Sequence, residues 1–152
     1  MADTANLATC YAGDQLFGIE VAQVQEVTRG GSLTRMPLAS PAVCGLLNLR
    51  GQVLVAIDLR ICLGLIERPA ADVPVHVVLK TEAGSVSLLV DRVGDVLALD
   101  ENAFERPPDT MRGRIRELIR GVYQLETGLL LALDTDKVLN EMKWTSDMGE
   151  RA

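Results

Sequence analysis

The chain has 152 residues, of which 48% are hydrophobic and 3% aromatic. That is enough for one domain with an aliphatic core of Leu, Val and Ile. The formal net charge of −6, with no long basic block, argues against a nucleic-acid partner, and the longest apolar runs, 53–57 and 129–133, are far too short to cross a bilayer.

In chain order, LATCYAGDQLFGIEV (7–21) predicts two strands around a Gly13-Asp14 turn. A middle segment near 33–36 follows, and Pro41-Ala42-Val43 suggests one helical turn. LLNLRGQVLVAIDL (46–59) predicts a second hairpin around Arg50-Gly51-Gln52, with Leu47, Leu49, Val53, Val55 and Ile57 pointing inward. Asp58 is placed to N-cap whatever follows. Pro69-Ala70-Ala71-Asp72 is a loop. Residues 73–99 predict a third hairpin, turning at Glu82-Ala83-Gly84, and a second middle segment falls near 103–106. After an Arg106-Pro107-Pro108-Asp109 loop, IRGVYQLETGLLLALD (119–134) predicts a fourth hairpin around Glu126-Thr127-Gly128. Asp134 then caps a short C-terminal helix over 134–142, and 143–152 reads as a frayed tail.

The order of these elements repeats. A shift of 76 lays GLLNLRGQVLVAID (45–58) over GVYQLETGLLLALD (121–134) without a gap, so that Gly45 meets Gly121 and Asp58 meets Asp134. A shift of 69 lays GIEVAQVQEV (18–27) over SLLVDRVGDV (87–96), so that Val24 meets Val93 and Glu26 meets Asp95. Two matches in the same order imply two similar β-subdomains, about 7–66 and 73–134, within one domain spanning 7–139. Small twisted sheets of about five strands close into barrels, which removes their exposed edges.

Residues that carry chemistry are sparse. His76 is the single histidine and sits in a strand without a nucleophile motif, so a structural role is expected. Cys10, Cys44 and Cys62 are an odd, widely spaced set without a CxxC, as suits a reducing compartment and plain core thiols. Asp134-Thr135-Asp136 begins like a calcium loop but lacks the later ligands. No metal, cofactor or catalytic residue is expected. Arg112, Arg114, Arg116 and Arg120 form a basic stretch whose simplest role is a solvated loop. In the first repeat Glu26 and Arg50 could make an opposite-charge pair where the second has two acids, Asp95 and Glu126. Such divergence suits a binding surface.

The pieces FGIEVAQVQEV, TRMP, GLLNLRGQVLVAIDLR and VSLLVDRVGDVL closely resemble the CheW family of chemotaxis coupling proteins, over about Leu7 to Leu139. The resemblance implies an all-β fold of two SH3-like five-stranded barrels packed together. It also implies a cytoplasmic, non-enzymatic adaptor in signal transduction, joining the cytoplasmic tips of methyl-accepting receptors to a CheA-type histidine kinase through the kinase's regulatory domain. By similarity, Val24, Glu26, Arg50 and Val96 are expected at the receptor site, and Val27, Arg29 and Gly45 at the kinase site. Val55, Leu63 and Ser87 depart from the residues common in the family at those places. The protein alone is expected to be a monomer, because its net charge opposes self-association. The rival reading is a small-molecule-binding barrel using the cleft between subdomains.

Overall fold

The computed structural model describes residues 4–29, 31–35, 43–66, 73–82 and 84–139. They form eleven strands: β1 (Thr4–Ala12), β2 (Gln15–Glu20), β3 (Val24–Thr28), β4 (Ser32–Arg35), β5 (Val43–Leu49), β6 (Gln52–Asp58), β7 (Val75–Thr81), β8 (Gly84–Val90), β9 (Arg92–Asp100), β10 (Ile119–Leu125) and β11 (Gly128–Leu133). Two short helices, α1 (Leu59–Cys62) and α2 (Arg114–Leu118), and two 3-10 turns, Val21–Gln23 and Glu101–Ala103, complete the named elements. The turns at Gly13-Asp14, Arg50-Gly51 and Glu126-Thr127 fall where the sequence puts them. Val43 opens β5 rather than closing a helical turn, and residues 41–42, 69–72, 83 and 140–152 lie outside the described residues. The expected C-terminal helix is present over 135–139, with the Lys137 amide donating to Asp134 Oδ1 at 3.2 Å. Asp58 plays the same part for α1, accepting from the Arg60 amide at 3.0 Å. The helix α2 lies in the stretch expected to be loop.

The fold is all-β, with two SH3-like barrels. One sheet has the order β10-β11-β2-β1-β9 and the other β3-β7-β8-β6-β5-β4. In the first, a bridge between Glu105 and Val122, with reciprocal amide–carbonyl bonds of 2.9 Å, ties the segment after β9 to β10. In the second, β3 and β4 are successive pieces of chain at its two edges. The first is the terminal barrel, because it uses both ends of the chain. The second is the central barrel.

These barrels differ from the two halves expected from the repeat. Each half donates its first hairpin to the other's barrel: β1–β2 joins β9, β10 and β11, whereas β7–β8 joins β3, β4, β5 and β6. Chain length supplies a reason. For β3 to pair with β1 as β9 does, the chain would have to move three residues along the sheet and two strands across it. That is about 14 Å in a straight line through β1. The four steps from Glu20 to Val24 extend to about 14 Å at most, leaving nothing for a detour. Stepping to the neighbouring barrel is direct.

The repeat survives as hydrogen-bond register. Val43 pairs with Ile57 and Gly45 with Ala56, with a bulge between the pairs; Ile119 pairs with Leu133 and Gly121 with Ala132, again with a bulge. The parallel contacts match too: Ala56 lies beside Ser87 as Ala132 lies beside Gly18. Val24 pairs with Leu79 and Val27 with Val77, and in the other barrel Val93 pairs with Cys10 and Val96 with Ala8. The two sequence shifts therefore describe two copies of one pairing scheme.

Among the described residues, three apolar clusters hold the fold. Leu47, Leu49, Leu54, Ala56, Val78 and Leu89 group in the central barrel; Leu7, Tyr123, Leu130 and Ala132 group in the terminal barrel. The largest cluster draws on both sheets, with Cys10, Phe17, Ile19, Val122 and Leu131 from one and Ile57, Val77, Leu79, Val86 and Leu88 from the other. Fully burying one such side chain is worth about 1.5–3 kcal/mol, so each barrel depends on the other for much of its stability.

Shared burial also overrides the alternation read from the 46–59 hairpin. The two-residue turn pairs Asn48 with Val53 and Leu47 with Leu54. Val53 therefore falls on the opposite face from Leu47 and Leu49 and is 59% exposed, a correction to the inward set. Deeper in, β6 buries both faces, with Ala56 toward the barrel cluster and Ile57 toward the shared one. His76 is buried, with Nδ1 3.1 Å from Ser87 Oγ.

Candidate functional site

The polar end of the β5–β6 hairpin is built by its turn. Arg50 and Gly51 both have positive φ, 54° and 84°, as a type I′ turn requires. Gly51 adopts this freely, whereas Arg50 is, among the described residues, the non-glycine residue held there. Asn48 steadies the bend, its Oδ1 accepting from the Gly51 amide at 3.2 Å. The bend throws the Arg50 side chain outward, 68% exposed, where its Nη2 donates to Glu26 Oε2.

Glu26 reaches that position because of a bulge. The register of β3 on β7 shifts between Val24 and Glu26, and a bulge re-aims the side chain beside it. Ser85 Oγ donates to Gln25 Oε1 at 2.7 Å and pins the bulged strand to β8. Val24 is half-buried against the shared cluster. Val27 is 45% exposed and Arg29, just past the end of β3, is exposed, so one short stretch of chain offers an acid, a valine and a base at the surface. Val53 adds an exposed apolar side chain just beyond the β5–β6 turn.

Of the residues expected to bind partners, the structure therefore joins Glu26 and Arg50 directly, with Val24 and Val27 on the same strand as Glu26 and Arg29 just past its end. Val96 is carried by the other sheet. Val96 lies on β9 of the terminal barrel, 60% exposed, at the place equivalent to Val27. Gly45 is buried inside the central sheet, between Arg35 of β4 and Ala56 of β6, and presents no side chain to any surface. Its counterpart Gly121 shows what a glycine does at this position: a Cβ there would collide with the Phe104 ring and the Glu105 carbonyl. The missing side chain lets the closing segment lie against β10.

The basic stretch is largely consumed by the fold. Arg114 Nε donates to the Cys62 carbonyl at 3.2 Å, Arg116 to the Pro108 carbonyl at 2.6 Å, and Arg120 pairs with Glu20 at 3.2 Å. Cys10 and Cys62 are inert thiols, each pushed up to about 12, Cys10 by burial and Cys62 by burial first and the Asp58 carboxylate second. Among the described residues no group of His, Cys, Asp and Glu could hold a metal, and no helix is long and apolar enough to cross a membrane.

Sequence reasoning missed three participants. Alternation points Val53 inward, and only the two-residue turn register reveals its exposure. Arg60 and Asp91, with Arg60 Nε 2.9 Å from Asp91 Oδ1, join residues 31 apart. The Asp-Leu-Arg sequence at 58–60 hinted at a cap but not at a distant partner.

Comparison with known proteins points one way. The model of the CheW-like domain matches residues 6–143. The chemotaxis protein CheW of Rhizobium meliloti is 33% identical over 128 residues, 83% of this chain and 81% of that protein. CheW of Bacillus subtilis is 29% identical, over 90% of this chain and 87% of that protein. The crystal structure of the scaffolding protein TtCheW from Thermoanaerobacter tengcongensis superposes with a TM-score of 0.77 at 23% identity, covering 88% of this chain and 90% of that one. From its paired barrels, its repeated registers and these matches, the chain belongs to the CheW-like family.

Proposed function

We propose that this protein is a non-enzymatic chemotaxis adaptor that couples the cytoplasmic tips of methyl-accepting receptors to a CheA-type histidine kinase. The family match over residues 6–143 supports it. The observation that carries the site assignment is the Glu26–Arg50 pair, an ion pair at the end of the central barrel held up by a positive-φ arginine. A strained backbone position that exposes a charged side chain is a feature of binding sites. In this reading Val24, Glu26, Arg50 and Val96 meet the receptor. Val27 and Arg29 meet the regulatory domain of the kinase, and Gly45 shapes that face from behind by letting β4 lie close to β5. The adaptor works in the cytoplasm, where both partners are within reach. No observation favours the small-molecule alternative over this one.

The test is direct. The purified protein is mixed with the kinase regulatory domain and, separately, with a receptor signalling tip, and binding is measured by calorimetry. Micromolar or tighter binding to each is expected. Binding to neither overturns the proposal.

A further inference from the structure

Among the described strands the chain passes between the barrels twice. The first passage is the 3-10 turn Val21–Gln23, none of whose residues is buried. The second is the single residue Asp91, between β8 of the central barrel and β9 of the terminal barrel. Here the polar contacts converge. The Asp91 amide donates to the Tyr11 carbonyl at 2.9 Å, and its Oδ2 accepts from the Gly13 amide at 2.6 Å, both in the β1–β2 hairpin of the terminal barrel. From the other side, the Nε–H of Arg60 on α1 is shared by both carboxylate oxygens at 2.9 Å, while Arg60 Nη1 donates to the Ile66 carbonyl at 2.8 Å. The side chains of Arg60 and Asp91 are each 19% exposed, so solvent weakens the contact little.

The shared aliphatic core holds the barrels together, but apolar contact is non-directional and lets packed elements slide by small shears. Charge-assisted hydrogen bonds add direction. We infer that Asp91 and Arg60 are positioning residues that fix the angle between the two barrels and thereby hold the two parts of the receptor site in register. The inference rests on the coupling function proposed above. Val24, Glu26 and Arg50 belong to the central barrel, whereas Val96 belongs to β9, which starts immediately after Asp91. The place where Asp91 is held decides where β9 carries Val96. The kinase-facing residues Val27 and Arg29 follow the central barrel alone, so the clamp has no hold on them.

That difference gives the experiment. Arg60→Ala is measured against the receptor tip and against the kinase regulatory domain, beside the parent protein. Receptor affinity is expected to fall about tenfold while kinase-domain affinity stays within about twofold. Arg60→Lys, which can still reach Asp91, should recover most of the receptor affinity. Spin labels at the exposed hairpin-tip residues Gln52, first in β6, and Thr127, one per barrel and in a background lacking the native cysteines, should give a broader distance distribution in Arg60→Ala than in the parent. If Arg60→Ala is unfolded by circular dichroism, Asp91→Asn takes its place. It retains an acceptor for the Gly13 amide while removing the charge, and the same criteria apply. Parental receptor affinity, equal losses for both partners, or an unchanged distance distribution overturns the inference. A parent protein that binds neither partner overturns the coupling function instead, so the two failures are distinguishable.

Discussion

The two barrels share one pairing scheme but end differently. At the tip of the central barrel, Arg50 faces Glu26 across an ion pair, and its turn needs two residues of positive φ. At the same place in the terminal barrel stand Glu126 and Asp95, both acidic, and neither Glu126 nor Thr127 has positive φ. The bulge is treated differently as well. Thr9 Oγ1 donates to the Asp95 carbonyl at 2.6 Å and holds the terminal bulge from below, whereas the equivalent position in the central barrel is the buried Val78. Backbone register has been kept in both copies, and side chains at the tips have diverged. The fold constrains the first, through burial and hydrogen bonding, and leaves the second free for partners.

The largest effect should come from breaking what the copies share. Gly121→Val forces atoms into the Phe104 ring and the Glu105 carbonyl, with no flexible side chain to move at the backbone contact. Urea unfolding should show a loss of about 2–3 kcal/mol. Gly51→Ala in the central turn meets nothing within 4 Å, and its only cost is the positive φ, about 1 kcal/mol. Equal losses at the two sites would mean that closure of the terminal barrel does not depend on the missing side chain.

Next in size is the charge that the copies do not share. Arg50→Ala should weaken receptor binding at least tenfold, the equivalent of about 1.4 kcal/mol, yet cost only about 0.2–1 kcal/mol in stability, because the pair is largely solvent-exposed. Calorimetry and thermal unfolding on the same variant separate the two. The double variant Glu26→Arg, Arg50→Glu restores a local pair but should not restore binding if the partner reads the signs. Full receptor affinity in the swapped variant would show that the pair merely shapes the surface.

Alkaline pH tests the core rather than the tips. Cys10 of the terminal barrel and Cys62 after the central hairpin are both raised from 9.0 to about 12. Between those values the unfolded chain has released the thiol proton while the folded chain keeps it. The unfolded state then binds fewer protons, so stability falls as pH rises above about 9, by up to about 1.4 kcal/mol per pH unit for each thiol. Below pH 8 the two thiols should contribute no slope. Urea midpoints at pH 8 and pH 10 should differ less in Cys10→Ala than in the parent, and an equal difference would place the titration elsewhere.

The smallest effect should come from copying one tip onto the other. Glu126→Arg places a base opposite Asp95 in the terminal barrel. Only a few tenths of a kcal/mol in stability is expected from an exposed pair, with receptor affinity unchanged. A gain in receptor affinity would show that the terminal tip belongs to the same site.

By itself the sequence determined the four hairpins, their turns and the two copies, but neither the short strand β3 nor the break at Asp91 that sets β9 apart from β8. Hydrophobic alternation, Gly-Asp and Arg-Gly turn chemistry and the aspartate caps at 58 and 134 act between near neighbours, and the 76- and 69-residue shifts recur as register. The family, too, was legible in the Asn48-Leu49-Arg50-Gly51 and Ile57-Asp58-Leu59-Arg60 pieces, as was the meeting of Glu26 with Arg50. Tertiary structure alone decided which hairpin completes which barrel. The two copies offer nearly equivalent pairing surfaces, and the choice falls to the few residues from Glu20 to Val24, too short to turn β3 back over β1. From that exchange follow the burial of both faces of β6, the separation of Val96 from Glu26, and the placing of Asp91 at the passage between barrels. None of these is a property of any local stretch of chain, because each depends on which surface a segment meets after the whole has closed.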